Sequence, residues 1–163
     1  MAARESYILY SEHFENGEDL FKQACELGLE GIVSKKSNSA YKPSKSSWLK
    51  VKCQMTDELY IIGIVPSGKH HISALRLGKL SGKAFDYVGK VGTGFTSAVS
   101  AQLRTQLDQM VISKPTLARP LRKLDTKWVK PDLTAKIVFR GITGDGKLRH
   151  PSFKGLVNSP LAL

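Results

Sequence analysis

Cysteine occurs only twice in the 163 residues, at Cys25 and Cys53. The two stand alone, with no CxxC pair and no histidine at ligand spacing. That argues against a disulfide framework or a zinc site and implies reduced thiols in a soluble, intracellular protein. Long apolar runs are missing too. The longest, Leu59 to Val65, is broken by Gly63 and falls far short of the ~20 residues that span a bilayer. The opening Met-Ala-Ala-Arg-Glu-Ser has no apolar stretch behind its basic residue, so it does not read as a secretory signal. Acids become scarce after residue 30. Residues 1–30 carry seven acids and two bases, net −5, whereas 31–163 hold 23 bases and seven acids, net +16. The formal net charge of +11 therefore comes wholly from the later part. Such asymmetry points to a polyanionic partner, with nucleic acid ahead of an anionic membrane. Hydrophobic residues at 41% and charged residues at 24% are an ordinary globular balance, which excludes disorder along the whole chain.

Periodicity divides the chain near residue 54. Before it, Tyr7 to Tyr10 is a short β-prone run, and Leu20, Phe21, Ala24, Cys25 and Leu27 share one face of a predicted helix. Glu18 and Asp19 suit the positive end of that helix, and Gly28 suits its C-terminal stop. Gly31-Ile32-Val33 reads as a buried strand, and Ser37 to Ser47 as a loop. Trp48 to Cys53 alternates at period two, with Leu49 and Val51 on one face and Lys50 and Lys52 on the other. Gln54 to Asp57 reads as a connector. After it come three predicted strands, Glu58 to Val65, Ile72 to Leu77 and Phe85 to Val91, with turns at Pro66-Ser67-Gly68 and Gly78 to Gly82. A helix follows, capped by Thr96 and striped by Val99, Leu103, Leu107, Met110 and Val111. A basic loop from Ser113 to Lys127, a strand over Ala135 to Phe139, a Gly144-Asp145-Gly146 turn and a last segment through Phe153 complete the chain. Several short strands with one helix after the third is the order of a five-stranded Greek-key barrel of the oligonucleotide-binding (OB) type. The expected class is mainly β with some α.

Two basic groups are the candidates for chemistry. From Lys35 to Lys52 there are six lysines and no acid. Two lysines on one strand face need phosphate or open water, and a solvated edge strand is the plainer alternative. Glu30, just before the Gly31 strand, is a carboxylate that can hold a Mg²⁺ bridging to phosphates, or simply an exposed acid at a junction. Gly89-Lys90-Val91-Gly92-Thr93-Gly94 lacks both the Walker spacing and G-x-G-x-x-G, so no nucleotide loop is assigned. Its glycines still allow backbone N–H groups near a DNA phosphate. His150 beside Arg149 is a second phosphate-contact candidate. Residues 114–154 hold eleven bases and three acids, net +8.

These residues resemble a known family. Glu30-Gly-Ile-Val-Ser-Lys35 followed by Trp48-Leu-Lys50-Val-Lys52 looks like motifs IV and V of the covalent nucleotidyltransferases, the ATP-dependent DNA ligases and their relatives. Tyr10-Ser-Glu-His-Phe, Lys90-Val-Gly-Thr-Gly-Phe95, Trp128-Val and Asp145-Gly-Lys-Leu-Arg-His-Pro-Ser-Phe-Lys-Gly-Leu156 resemble the ligase domain of bacterial DNA ligase D, an end-joining ligase that works with the Ku protein. The likeness runs from about Tyr7 to Leu156. It implies that residues 1–53 are the C-terminal end of an adenylation domain, 54–57 a linker, and 58–163 an OB-fold barrel that clamps DNA. It implies that Glu30 helps bind Mg²⁺, that Lys50 and Lys52 contact the phosphate of the nucleotide from ATP, and that Lys35 is a weaker contact. Lys90, Thr93, Arg149, His150 and Lys154 become DNA-contact candidates. The implied partners are double-stranded or nicked DNA, the rest of the ligase with its nucleophilic lysine, and a Ku-type protein. The implied setting is DNA repair and recombination in a bacterial cytoplasm, at the nucleoid, with no membrane.

The sequence also departs from the pattern. The family's adenylated lysine lies in an upstream Lys-x-Asp-Gly motif, which this chain does not contain. Lys123-Leu-Asp125-Thr126 has Thr where Gly belongs and lies in the barrel, so it is read as coincidence. Val157-Asn-Ser-Pro160 stands where the family continues into Arg-x-Asp-Lys. The chain alone is therefore expected to be inactive in self-adenylation. Alternatives are a non-catalytic OB-fold nucleic-acid-binding module, a subunit completing a split ligase, or the related RNA ligases and capping guanylyltransferases.

Overall fold

Asn16 caps the first described helix by accepting a hydrogen bond. Its side-chain oxygen takes the Asp19 amide at 3.3 Å, and α1 runs from Gly17 to Glu26. Glu18 and Asp19 sit in its first turn, and Gly28, at φ 72°, follows the end of the helix. The computed structural model describes residues 12–40, 48–115, 117–121 and 125–157. The expected strand at Tyr7 to Tyr10, and Lys42, Lys45, Arg122 and Lys123, lie outside the described residues. The chain divides into two units, Met1–Cys53 and Gln54–Leu163.

In the first unit, β1 (Gly31–Ser34) and β2 (Leu49–Lys52) form an antiparallel pair, with Gly31 opposite Lys52 and Val33 opposite Lys50. α1 packs on β1. The burial expected for Gly31 to Val33 is not found, and Val33 is 49% exposed. Among the described residues of this unit, one helix and two strands provide no second layer for the outer face. Among the described residues of this unit, only Ala24 and Cys53 are buried.

The expectation of separate, reduced thiols is overturned. Cys25 and Cys53 are joined by a disulfide, with Cα atoms 5.4 Å apart. Their separation of 28 residues hides the contact in sequence. They meet because Cys25 lies in α1, which packs on β1, and because the Cys53 amide donates to the Glu30 carbonyl at 2.9 Å.

The second unit contains β3 (Met55–Ser67), β4 (His71–Ser81), β5 (Ala84–Val91), α2 (Ser97–Asp108), β6 (Lys127–Trp128), β7 (Thr134–Phe139), β8 (Gly141–Ile142), β9 (Leu148–Arg149) and β10 (Ser152–Leu156). The main sheet has the order β10-β7-β3-β4-β5, all antiparallel, with β6 also paired to β3. Its two ends meet. The Phe153 amide donates to the Thr93 carbonyl at 2.9 Å, and the Thr93 hydroxyl donates to the Pro151 carbonyl at 3.1 Å. The sheet thereby curls into a five-stranded barrel. The connector expected at 54–57 is corrected. Met55, Thr56 and Asp57 pair with Phe139, Val138 and Ile137, so they are strand. The turns are also shorter than expected, since Pro66, Ser67 and Gly78 to Ser81 remain in their strands. The expected Gly144-Asp145-Gly146 turn is found, but the β8–β9 strands it joins were not legible, because two-residue strands are too short to show a period.

Eleven large side chains pack without exposure or nearly so: Leu59, Ile61, Ile64, Leu75, Leu77, Val91, Leu103, Leu107, Val129, Ile137 and Phe153. Each such burial contributes about 2 kcal/mol, so the barrel holds itself together in a way the first unit does not. The α2 stripe supplies Val99, Leu103 and Leu107, and Thr96 caps the helix by accepting the Val99 amide at 3.3 Å. The helix ends at Asp108, which leaves Val111 outside the stripe and 46% exposed.

Two buried polar side chains of α2 bond to β4, Arg104 by donating to the His71 carbonyl at 3.1 Å and Ser100 by its contacts with Ile72. Pro66 lies opposite Ile72 and has no N–H to donate. The buried Ser100 hydroxyl takes over, donating to the Ile72 carbonyl and accepting the Ile72 amide, both at 3.0 Å. Ser100→Ala leaves both groups unpaired in a dry place, and the loss should be about 1–3 kcal/mol in denaturant unfolding. An unchanged midpoint would mean that Ile72 finds other partners.

Candidate phosphate and nucleic-acid sites

The first candidate site lies on the β1–β2 hairpin. Gly31, at φ 143°, lets β2 come close, and a Cβ there would stand 2.1 Å from the Val51 carbonyl oxygen. No other residue fits at that point. The close approach places Lys52 opposite Gly31, and its Nζ is 2.5 Å from Glu30 Oε1. Lys50 shares the strand face of Lys52. Lys35 Nζ stands 4.2 Å from the Trp48 ring centroid, a cation–π contact. The hairpin thus holds all four sequence-predicted residues of this unit, with Lys50 and Lys52 in β2 and Glu30 and Lys35 flanking β1. Among the described residues no three His, Cys, Asp or Glu side chains gather to hold a metal. A single carboxylate such as Glu30 fits Mg²⁺ only as one ligand beside phosphate oxygens and water, which is the manner in which this ion usually binds.

The second candidate site is the barrel seam. Gly94, at φ 92°, passes so close to β10 that a Cβ would be 2.2 Å from the Phe153 carbonyl oxygen. Thr93 bonds there to Pro151 and Phe153, so His150 and Lys154 flank its partners. Gly89 lies against Leu148, which sets Lys90 and Arg149 one residue on from that contact. His150 is the one described non-glycine residue at positive φ, 51°. Each of the five barrel residues singled out from sequence thus lies at, or one residue from, a contact along this seam. Lys90, Arg149 and Lys154 are exposed and form no ion pair among the described residues. Other bases of the +8 segment are already engaged. Lys127 pairs with Asp108, Lys130 pairs with Asp132, and Lys147 lies over the Tyr87 ring and donates to the Tyr87 carbonyl.

Sequence reading missed Arg76. It is buried in β4, where its guanidinium donates to Asp125 at 2.9 Å, Thr126 at 3.1 Å and the Tyr87 hydroxyl at 3.0 Å. The available signal was a lone arginine within the apolar run Ala74-Leu75-Arg76-Leu77. The contact also gives Asp125 and Thr126, part of the string read as coincidence, a structural role in tying the basic loop to the barrel.

Two carboxyls titrate low. Desolvation alone would raise the Asp108 carboxyl, but hydrogen bonds and charge from Arg104 and Lys127 outweigh it. Desolvation is likewise overcome at Asp125, chiefly by the Arg76 charge. A carboxyl lowered by folding stabilises fully above its unfolded value of about 3.9, and that contribution is lost as pH falls through the folded value. Denaturant midpoints should therefore be level down to about pH 4 and fall below it, less steeply in Asp108→Asn. A midpoint that rises on acidification would contradict the assignment.

An OB barrel with an exposed basic seam, preceded by a glycine-pinched acid–lysine hairpin, defines a protein of the nucleotidyltransferase–ligase class. Residues 68–158 match the family described as the ATP-dependent DNA ligase C-terminal region, and residues 6–52 match the ATP-dependent DNA ligase domain. This chain belongs to the ATP-dependent DNA ligases. It is 37% identical, over 87% of its own length and 18% of the relative's, to the multifunctional non-homologous end joining protein LigD of Pseudomonas aeruginosa. It is similar to the crystal structure of the ligase domain of LigD from M. tuberculosis, with TM-score 0.62, 29% identity, and coverage of 86% of this chain and 48% of that one. A mycobacterial DNA ligase D complexed with ATP and MES matches at TM-score 0.59 and 29% identity, with the same coverage. The chain thus spans under a fifth of the first of these relatives and about half of the two solved structures.

Proposed function

We propose that this chain is the C-terminal part of an ATP-dependent DNA ligase, with the hairpin binding nucleotide phosphate and the barrel seam holding duplex DNA at a nick. The observation that carries the reading is the hairpin, where Gly31 brings Glu30, Lys50 and Lys52 together on two strands. The complete enzyme would form a lysyl-AMP from ATP, pass AMP to a 5′-phosphate and seal the nick with the 3′-hydroxyl. Relay through a covalent intermediate splits one hard condensation into easier steps. The family's use of ATP and a divalent metal supports this assignment.

Lys50 and Lys52 would offset phosphate charge as the phosphoryl groups move. Lys52 is paired with Glu30, so phosphate would compete for its ammonium. Mg²⁺, with Glu30 as one of its ligands, would supply positive charge to the phosphate oxygens. Glu30, as a ligand of that metal, would release Lys52 to meet phosphate. Thr93 and Gly94 would bring backbone toward DNA without reading bases. End joining beside a Ku-type protein, in the cytoplasm at the bacterial nucleoid, accompanies this reading. It draws support from the likeness to LigD, a protein named for non-homologous end joining.

Two experiments test it. With ATP and Mg²⁺ the chain alone should acquire no covalent AMP, since no lysine here lies in a Lys-x-Asp-Gly motif. Labelling of any lysine would overturn that assignment. Supplied in trans with the Lys-x-Asp-Gly-bearing half of a related ligase domain, the chain should restore nick sealing. Lys52→Ala should then lower the rate about 100-fold, the usual size of losing one charge aimed at the reacting phosphate. Undiminished sealing by Lys52→Ala would remove the phosphate role.

A further inference from the structure

We propose that Cys25 and Cys53 form a thiol–disulfide site whose oxidation state positions the Lys50–Lys52 strand. The crosslink closes a stretch of sequence that contains Glu30, Lys35, Trp48, Lys50 and Lys52, the whole hairpin site. It is also the one covalent crosslink among the described residues of its unit. Ala24 and Cys53 are the only buried residues described there, while Leu27, Leu29, Val33, Leu49 and Val51 are exposed. Apolar burial among these described residues is slight, and small bodies with little core rely on a covalent staple.

The position of the staple matters as much as its strength. Cys53 directly follows Lys52, and its amide donates to the carbonyl of Glu30. Movement of Cys53 therefore shifts both members of the Glu30–Lys52 ion pair. With the bond intact, β2 is tied at its end to α1 and keeps its register on β1. With the bond open, β2 keeps its ladder to β1 but loses its tie to α1, and the strand frays more readily around Lys52.

The exchange balances with an external dithiol as reductant. A dithiothreitol thiolate attacks Cys25 Sγ, the more exposed sulfur, and the Cys25–Cys53 bond breaks. Cys53 leaves with the electron pair as a thiolate and takes a proton from water. The second thiol of the reagent then displaces Cys25 from the mixed disulfide. Two electrons and two protons enter the protein, and the reagent departs as a cyclic disulfide. Oxidised dithiothreitol drives the reverse. The phosphate role of Lys50 and Lys52 rests on the function proposed above, whereas control of the strand by the crosslink does not.

The test uses the full chain in oxidised and reduced dithiothreitol. Segment-resolved amide exchange over 31–34 and 49–52 should quicken at least about tenfold on reduction, within what closing a loop of this length allows. Exchange in β3, β4 and β7 should not change. The emission attributable to Trp48, taken as the difference between wild type and Trp48→Phe, should follow the same reversible midpoint across a dithiothreitol series. Cys25→Ser should show the reduced pattern in both buffers. Equal exchange in the two states, or two titratable thiols after equilibration in oxidised reagent, would overturn the proposal. ATP binding measured in both states separates the two readings. Tighter binding in the oxidised state supports both. Failure to bind in either state would sink the phosphate role, with the exchange result still deciding the crosslink.

Discussion

Duplex DNA binding by this chain should weaken about 40-fold when monovalent salt rises fourfold, whatever the base sequence. Three permanently charged seam residues, Lys90, Arg149 and Lys154, are exposed without ion pairs among the described residues. Each neutralised phosphate contributes roughly −0.9 to the log–log slope, so three give about −2.7. Arg149→Ala should make the slope shallower by about 1 and weaken every sequence alike. Lys127→Ala and Lys130→Ala are the controls. Asp108 and Asp132 already neutralise those lysines, so the slope should not move. Titration of labelled duplex at several salt concentrations reads all four proteins. A flat salt response, or an equal effect of the controls, would show that the seam does not carry the contact.

Gly94→Ala should be the most damaging single methyl in the barrel. The new Cβ would lie 2.2 Å from the Phe153 carbonyl and 2.7 Å from its amide nitrogen, both backbone atoms in β10. No side chain can swing aside to make room. The φ of 92° adds left-handed strain that alanine bears poorly. Overpacking and strain together should cost about 3 kcal/mol in denaturant unfolding. Gly82→Ala is the comparison, since its φ of 61° is also positive but nothing lies within 4 Å. It should lose only about 1 kcal/mol, the strain alone. Similar losses in both would mean that the Gly94 passage widens without harm. DNA affinity should fall with Gly94→Ala but not with Gly82→Ala, because only the former displaces Thr93 from Pro151.

The barrel was legible where local pattern and tertiary burial agree. Thr96 followed by the Val99, Leu103, Leu107 stripe marks both the cap and the buried face of α2, since a helix repeats its environment every turn. Period two located β2 and the common face of Lys50 and Lys52. The centre of β3 shows no alternation, because Ile61, Ile62, Gly63 and Ile64 are buried on both sides. There the strand was legible as an apolar run, but its start at Met55 was not, since Thr56 and Asp57 earn their place only by pairing with β7. What escaped entirely depends on contacts far apart in sequence. Cys25 finds Cys53, and Arg76 finds Asp125, by folding alone, and no spacing rule connects them. The seam is intermediate. Its residues were each suspect for charge or glycine content, yet only the Phe153–Thr93 bond explains why they belong together.

The strand order also sets a timetable for synthesis. β3, β4 and β5 can pair as soon as they are made, since each meets its successor across a short turn. The other edge of β3 waits for β7, and Met55 finds Phe139 only after most of the chain exists. β10 then arrives last and joins both β7 and the residues after β5. Contacts this distant slow folding, because loop closure must precede any gain from pairing. Until then a ribosome-bound chain presents a 13-residue strand with one open edge and an apolar centre. Such an edge invites pairing with a neighbouring chain, so brief exposure of β3 is where overproduction of this protein would first turn to aggregate.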